Sequence, residues 1–270
     1  MFSPEQVFDI QYGITPVISY IKKYPKGLLI CALNTIDFNR LIETIVLEKA
    51  QRRVILLPNG VDSDISMQYG WTMDTLSKPR QFYSTIPKAM FTSLDIWGND
   101  QHFFKQWLCF GFNSISSTIF PITSTNGFEF TTETSNASQL IKLNERIKLS
   151  VDNNDIELPT ISMLIVGNTE TFCGNKFWTL TSDDYCDGWC DTETHDGMLE
   201  IYGFIDETHF KNCLKQIQTP VKITQGKSLS FTLLKECLVY FDFKDVLMKS
   251  NFTINKLFSI EIGVNVNDMK

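Results

Sequence analysis

The densest run of potential metal ligands lies between Asp183 and Asp196. Asp183, Asp184, Asp187, Asp191, Glu193 and Asp196 supply carboxylates, and Cys186, Cys190 and His195 stand among them. Oxygen-rich loops hold Ca²⁺ or Mg²⁺ when ligands alternate around a glycine turn. That alternation is missing, so a solvated acidic loop is the simpler reading. Structural zinc draws four ligands from two Cys/His pairs. Cys186, Cys190 and His195 do not keep that spacing, and unpaired thiols in a loop are the plainer account. Gly60-Val61-Asp62-Ser63-Asp64 reads either as a metal loop or as a helix start capped by Ser63 or Asp64, and the cap needs fewer coincidences. Nucleophilic hydrolysis is poorly provided for, because His102, His195 and His209 are scattered and no Gly-x-Ser-x-Gly elbow is present.

Charge and composition narrow the function classes. Lys plus Arg number 24 against 31 Asp plus Glu, a net charge of −7. This argues against nucleic acid as a partner, since phosphate affinity is carried by Lys and Arg. It also weakens attraction to anionic lipid unless a basic face is concentrated locally. Hydrophobic residues at 43% and charged ones at 20% suit a folded protein with a real core. The longest apolar run, Leu28 to Leu33, is far too short to span a bilayer, so no transmembrane segment is expected. Met1 to Glu5 lack the features of a signal peptide. The cytoplasm is therefore the expected compartment, and the seven irregularly spaced cysteines are expected as reduced thiols.

The elements that must position these residues change character along the chain. Val17 to Ile21 and Leu41 to Val46 have helical apolar spacing, while Gly27 to Cys31 and Val54 to Leu57 read as parallel strands. After about residue 90, β-branched and aromatic runs between Asn, Ser, Thr and Gly clusters predict a mostly antiparallel β domain. These runs include Ile161 to Val166, Met198 to Phe204, Val221 to Thr224 and Leu229 to Leu233. Glu207 to Lys215 reads as a helix with Phe210, Cys213 and Leu214 on one face, and Thr131 to Gln139 as a loose polar loop. Pro220 to Leu233 is expected to form a β-hairpin turning at Gln225-Gly226-Lys227, with Gly226 at positive φ.

Several of these segments, with others beside them, carry the motifs of one known family in order. Phe2-Ser3-Pro4-Glu5-Gln6-Val7-Phe8-Asp9-Ile10 is similar to Leu-Asn-Pro-x-Gln-Val-Phe-Asp-Leu. Leu57-Pro58-Asn59-Gly60-Val61-Asp62-Ser63-Asp64-Ile65 lies where the family has Leu-Pro-Leu-Gly-Thr-Gly-Asn-Asp-Leu. Leu94-Asp95-Ile96-Trp97 resembles Leu-Asp-Arg-Trp, and the stretch opening at Asn168 resembles Asn-Ile-Pro-Ser-Tyr. His195-Asp196-Gly197-Met198-Leu199-Glu200 is similar to Asp-Asp-Gly-Leu-Leu-Glu. Pro220-Val221-Lys222-Ile223-Thr224-Gln225-Gly226 follows Pro-Val-Arg-Ile-Ala-Gln-Gly.

Together these motifs resemble those of the diacylglycerol kinase family, in its eukaryotic form, and the resemblance implies an α/β nucleotide-binding lobe, here shortened at its N-terminus (residues 1–92), then a β-sandwich-like accessory lobe (93–250). A return segment (251–270) would follow, with Leu257 to Ile262 rejoining the body as a strand. It implies ATP and Mg²⁺ as cofactors and transfer of the γ-phosphoryl group to diacylglycerol, giving phosphatidic acid, with a carboxylate drawing off the hydroxyl proton. The departures fall on that chemistry. Lys244 stands where the family has the Glu of Asp-Gly-Glu, while Asp242 keeps its Asp and is expected at the edge of the cleft, near Asp196. Cys31-Ala32-Leu33-Asn34-Thr35-Ile36 occupies the place of Cys-Gly-Gly-Asp-Gly-Thr, so two glycines that phosphates approach closely are lost. Asn34, Thr35, Gly60 and Asp64 are the nucleotide-site remnants, and Asp196 the remnant of a metal site. The family's Asn-Pro-x-Ser-Gly-Gly loop has no counterpart after Met1. The expectation is a pseudokinase that binds diacylglycerol or another membrane-surface lipid, peripherally at membranes, or pairs with an active paralogue. The alternative is an active lipid kinase with an altered nucleotide site.

Overall fold

A computed structural model describes residues 14–33, 35–57, 66, 69–72, 74, 77–78, 80, 84–115, 130–132, 134–135, 139–140, 142–169, 171–172, 175–176, 197–242 and 244–265. The chain divides into two units, residues 1–92 with 260–270, and residues 93–259.

In the first unit, helix α1 (Thr15–Lys23) has Pro16 in its first turn, where its fixed φ is suited, and buries Ile21. Helix α2 (Thr35–Leu47) buries Phe38, Leu41, Ile42 and Ile45, one stripe at the i, i+3, i+4, i+7 spacing. Strands β1 (Lys26–Ala32) and β2 (Gln51–Leu57) pair in parallel from Lys26 opposite Gln51 to Ala32 opposite Leu57. The end of a long strand, Phe252–Val264, lies parallel to β2, with Arg53 opposite Glu261 and Val54 opposite Ile262. Trp71 Nε1 ties this strand end down by donating to Gly263 O at 2.7 Å.

The second unit is built on β3 (Met90–Gly98), β4 (Trp107–Phe110), β5 (Ile147–Val151), β6 (Met163–Gly167), β7 (Leu199–Phe204), β8 (Val221–Gly226), β9 (Ser228–Leu233), β10 (Cys237–Phe241), β11 (Lys244–Met248) and the first half of β12 (Phe252–Val264). Six of these form an antiparallel sheet in the order β8-β7-β6-β4-β10-β11. A second antiparallel layer runs from β12 through β9 and β5 to the short strand Asn154–Ile156. Leu108, Phe110, Leu164, Val166, Ile201 and Val239 of the first sheet pack with Leu149, Val151, Leu229, Phe231 and Ile254 of the second in one core. Helix α3 (Glu207–Leu214) covers the other face of the six-stranded sheet, setting Phe210 and Cys213 against Cys109, Ile165, Tyr202 and Phe204. With both faces covered, β4, β6 and β7 are buried at every residue, which is why they read as unbroken apolar runs.

Three expectations are corrected. Pro220 to Leu233 is not a hairpin: β8 pairs with β7 in one sheet and β9 with β5 and β12 in the other, so the chain crosses between layers at Lys227. Asp152 holds the crossing, its Oδ1 accepting from Lys227 N at 3.0 Å and Ser228 N at 2.8 Å. Gly226 is also not among the positive-φ glycines. It is required by close approach, since a Cβ there would lie 2.2 Å from Val151 Cγ1. The Gly226→Ala variant is therefore expected to lose about 1–3 kcal/mol, read as a lower urea midpoint with unchanged slope. Within Thr131 to Gln139, Thr134–Ser135 pairs with Gln139–Leu140 and Phe130–Thr132 with Phe112–Ile115, so the polar stretch contains short strands.

Cys109 and Cys213 are fully buried free thiols. Burial pushes the Cys213 thiol up from 9.0 to about 11. Burial first, then the Asp242 charge, raises Cys109 well above the usual range. A folded-state pKa raised in this way contributes stability that is complete below the unfolded value of 9.0 and is lost as pH rises through about 11. Chemical denaturation at stepped pH should show stability falling across that interval. Brief iodoacetamide treatment of native protein at pH 8 should leave both thiols unlabelled, while urea exposes them.

Candidate functional site

Phe241 and Lys244 are register partners, so Asp242 stands in a tight hairpin turn between β10 and β11. Such loops need left-handed backbone, and Asp242 supplies it at φ +53°, a conformation that Asp tolerates. The strand geometry turns its carboxylate inward. Asp242 is fully buried and accepts from Lys105 Nζ at 2.9 Å, from the backbone N–H of Gln106 at 2.9 Å and from that of Trp107 at 3.2 Å. The N–H of Lys105 adds a longer contact at 3.3 Å. Its ion-pair partner is Lys105, and Asp196, expected near it, lies outside the described residues. Lys105 is 1% exposed, and burial pulls its ammonium below the ordinary lysine range, opposed by the charge and hydrogen bond of Asp242.

This pair belongs to a larger buried polar cluster. Asn168 accepts from Trp97 Nε1 at 2.9 Å, and its Nδ2 donates to the carbonyls of Asp95 at 3.0 Å and Lys105 at 2.8 Å. Asp95 is itself fully buried, with Oδ1 taking Lys256 Nζ and Ser259 Oγ, each at 2.7 Å. Asp95, Trp97, Asn168 and Asp242 come from three separate motifs of the resemblance, and the fold brings them together. Their lone pairs are almost wholly committed to internal donors; Asp95 Oδ2 is a buried exception. A carboxylate saturated in this way positions backbone and does not draw a proton from a substrate.

Lys244 is exposed on β11 beside His102. The His102 ring lies 5.2 Å from that of Phe241, and its Nδ1 is buried without a hydrogen-bond partner. Burial and then the Lys244 charge lower the His102 pKa, so the ring is neutral at neutral pH. His209 is structural: its Nδ1 accepts from Ile205 N at 3.2 Å at the start of α3. Thr35 is the first residue of α2, whereas Asn34, Gly60, Asp64 and Asp196 lie outside the described residues, as do Phe2 to Ile10 and the Cys186–His195 loop. Among the described residues no group of three or more His, Cys, Asp or Glu could hold a metal. None of their helices is long and apolar enough to cross a membrane.

Sequence reasoning missed Lys105. Its signal is a lone lysine inside Phe103-Phe104-Lys105-Gln106-Trp107-Leu108, a run too apolar to leave a cation unpaired.

Residues 126–243 match the family model of the diacylglycerol kinase accessory domain. Diacylglycerol kinase theta of Rattus norvegicus and that of Homo sapiens are each 30% identical over 101 residues, 37% of this chain and 10% of theirs. The matched stretch thus spans about a tenth of the length of these curated relatives. A solved structure of a putative diacylglycerol kinase from Bacillus anthracis str. Sterne superposes with a TM-score of 0.64 at 14% identity, over 93% of this chain and 83% of that one. Another from the same organism gives 0.60 at 14%, over 93% and 82%. At such identity these two show a shared fold. The family match thus covers the accessory-domain stretch, residues 126–243, and the two solved structures share the fold over most of the chain.

Proposed function

We propose that this chain is a catalytically silent member of the diacylglycerol kinase family, working as a scaffold that holds diacylglycerol-type lipid or pairs with an active paralogue. The observation carrying the reading is the Asp242–Lys244 hairpin. Its acid is locked to Lys105 and backbone amides, and a lysine stands at the position the family resemblance gives to a proton-accepting Glu. A protonated ammonium has no lone pair for that proton.

ATP and Mg²⁺, which the family implies, do not fit the residues at hand. Ala32 and Leu33 carry side chains where close approach of phosphates calls for glycine, and Leu33 is packed into its unit at 5% exposure. The test is transfer of radiolabelled phosphate from ATP to dispersed diacylglycerol by the purified chain. No phosphatidic acid above background is expected, and turnover of roughly 1–100 s⁻¹ would overturn the proposal.

One observation favours the second reading, an active lipid kinase with an altered site. Neutral His102 lies beside Lys244 and is chemically able to take a proton. Under that reading turnover is present and His102→Gln abolishes it.

A further inference from the structure

We propose that the tip formed by the end of α1, the start of β1 and the turn after α2 is a docking face for an anionic lipid surface. Lys22 and Lys23 close α1, and Lys26 opens β1. Lys49 stands in the α2–β2 turn at φ +47°. The parallel register brings these loops together, with Lys26 opposite Gln51 and Lys22 Nζ 3.3 Å from Glu48 Oε1. Four cations therefore share one small region, offset by Glu48, in a protein whose net charge is −7. The molecule as a whole is repelled by anionic surfaces, and only a local concentration of this kind reverses the sign within a screening length.

Cations alone would suit any polyanion. What selects a lipid surface is the apolar side chains among them. Leu47 is 79% exposed and Tyr24 47% exposed, and Lys23 Nζ lies 5.3 Å from the centre of the Tyr24 ring. A soluble polyanion makes no use of a protruding leucine. A headgroup layer takes up Leu and Tyr at its apolar boundary while flanking lysines reach the phosphates. No residue of the Asp242 cluster takes part, so the face stands whether or not the chain transfers phosphate.

The full chain is sedimented with phosphatidylcholine vesicles, with and without phosphatidylserine, over a range of salt. Binding is expected only with phosphatidylserine present, weakening as salt rises. Neutralising Lys22, Lys23, Lys26 and Lys49 to Gln, singly and together, should reduce affinity about fivefold per lysine. Leu47→Ser should weaken vesicle binding while leaving any binding to soluble polyglutamate unchanged. All five side chains are exposed, so thermal midpoints should stay at the parent value. Equal binding to neutral vesicles, no binding to anionic ones at low salt, or a quadruple variant that binds as tightly would each overturn the proposal. So would loss of polyglutamate and vesicle binding in parallel with no dependence on Leu47, which would mark a general polyanion site.

Discussion

Replacing Lys105 with methionine is expected to destabilise the protein by about 3–5 kcal/mol, because it leaves the Asp242 carboxylate buried without its counter-charge. Methionine keeps most of the apolar stem, so the loss reports charge and hydrogen bonding more than volume. Against a typical domain stability of about 5–15 kcal/mol, urea denaturation should show the midpoint falling by a large fraction. The double variant Lys105→Met/Asp242→Asn should recover part of that loss, since no uncompensated charge then remains. Asn also tolerates the left-handed backbone at φ +53° and can still accept from Gln106 N and Trp107 N. A change below about 1 kcal/mol in Lys105→Met would mean that the backbone amides alone hold the carboxylate.

Much of the architecture was legible because it is local. The βαβ unit announces itself through an apolar run, a helical stripe at Phe38, Leu41, Ile42 and Ile45, and a second apolar run, and these settle strand direction as well as identity. Helix α3 was equally plain from Phe210 and Cys213 on one face. The misreading at Gln225-Gly226-Lys227 has the opposite cause. Turn chemistry says that the chain reverses, but not whether the next strand rejoins its neighbour or steps to another sheet. That choice is made by Asp152, 75 residues away, and by the partners of β9 in the second layer. Gly226 was rightly singled out for the wrong reason, because a Val151 side chain pressing on a backbone leaves no trace in the local sequence.

The candidate site was half legible for the same reason. Family-like spacing drew attention to Asp95, Trp97, Asn168 and Asp242, but no local pattern joins Asp242 to Lys105 across 137 residues. Burial was the missing quantity. An Asp in a tight hairpin turn ordinarily faces water, and here Lys105 to Trp107 close over it. A carboxylate that looks available in sequence is thus consumed in the fold.

Restoring a carboxylate at the resemblance's base position should not restore catalysis. The Lys244→Glu variant is expected to remain without measurable phosphoryl transfer, although a general base contributes typically 10²–10⁴-fold in a working enzyme. A base acts only on a reaction that the site already assembles, and positioning with charge stabilisation supplies most of phosphoryl transfer. Ala32 and Leu33 still stand where β1 ends, so Mg-ATP at millimolar concentration should leave the thermal midpoint of Lys244→Glu unmoved. A ligand at about 100 times its dissociation constant would instead add roughly 2.7 kcal/mol. The exchange has a visible local consequence even so. Lys244 depresses the His102 pKa, and a carboxylate in its place acts in the reverse sense, so histidine titration followed by NMR should show His102 moving upward. An upward move of His102 with no phosphatidic acid formed would show that the new acid is present and charged beside the ring, and that the missing chemistry lies elsewhere. Phosphatidic acid formed by Lys244→Glu at a rate well above the parent would instead place a competent nucleotide site in the chain and sink the pseudokinase reading.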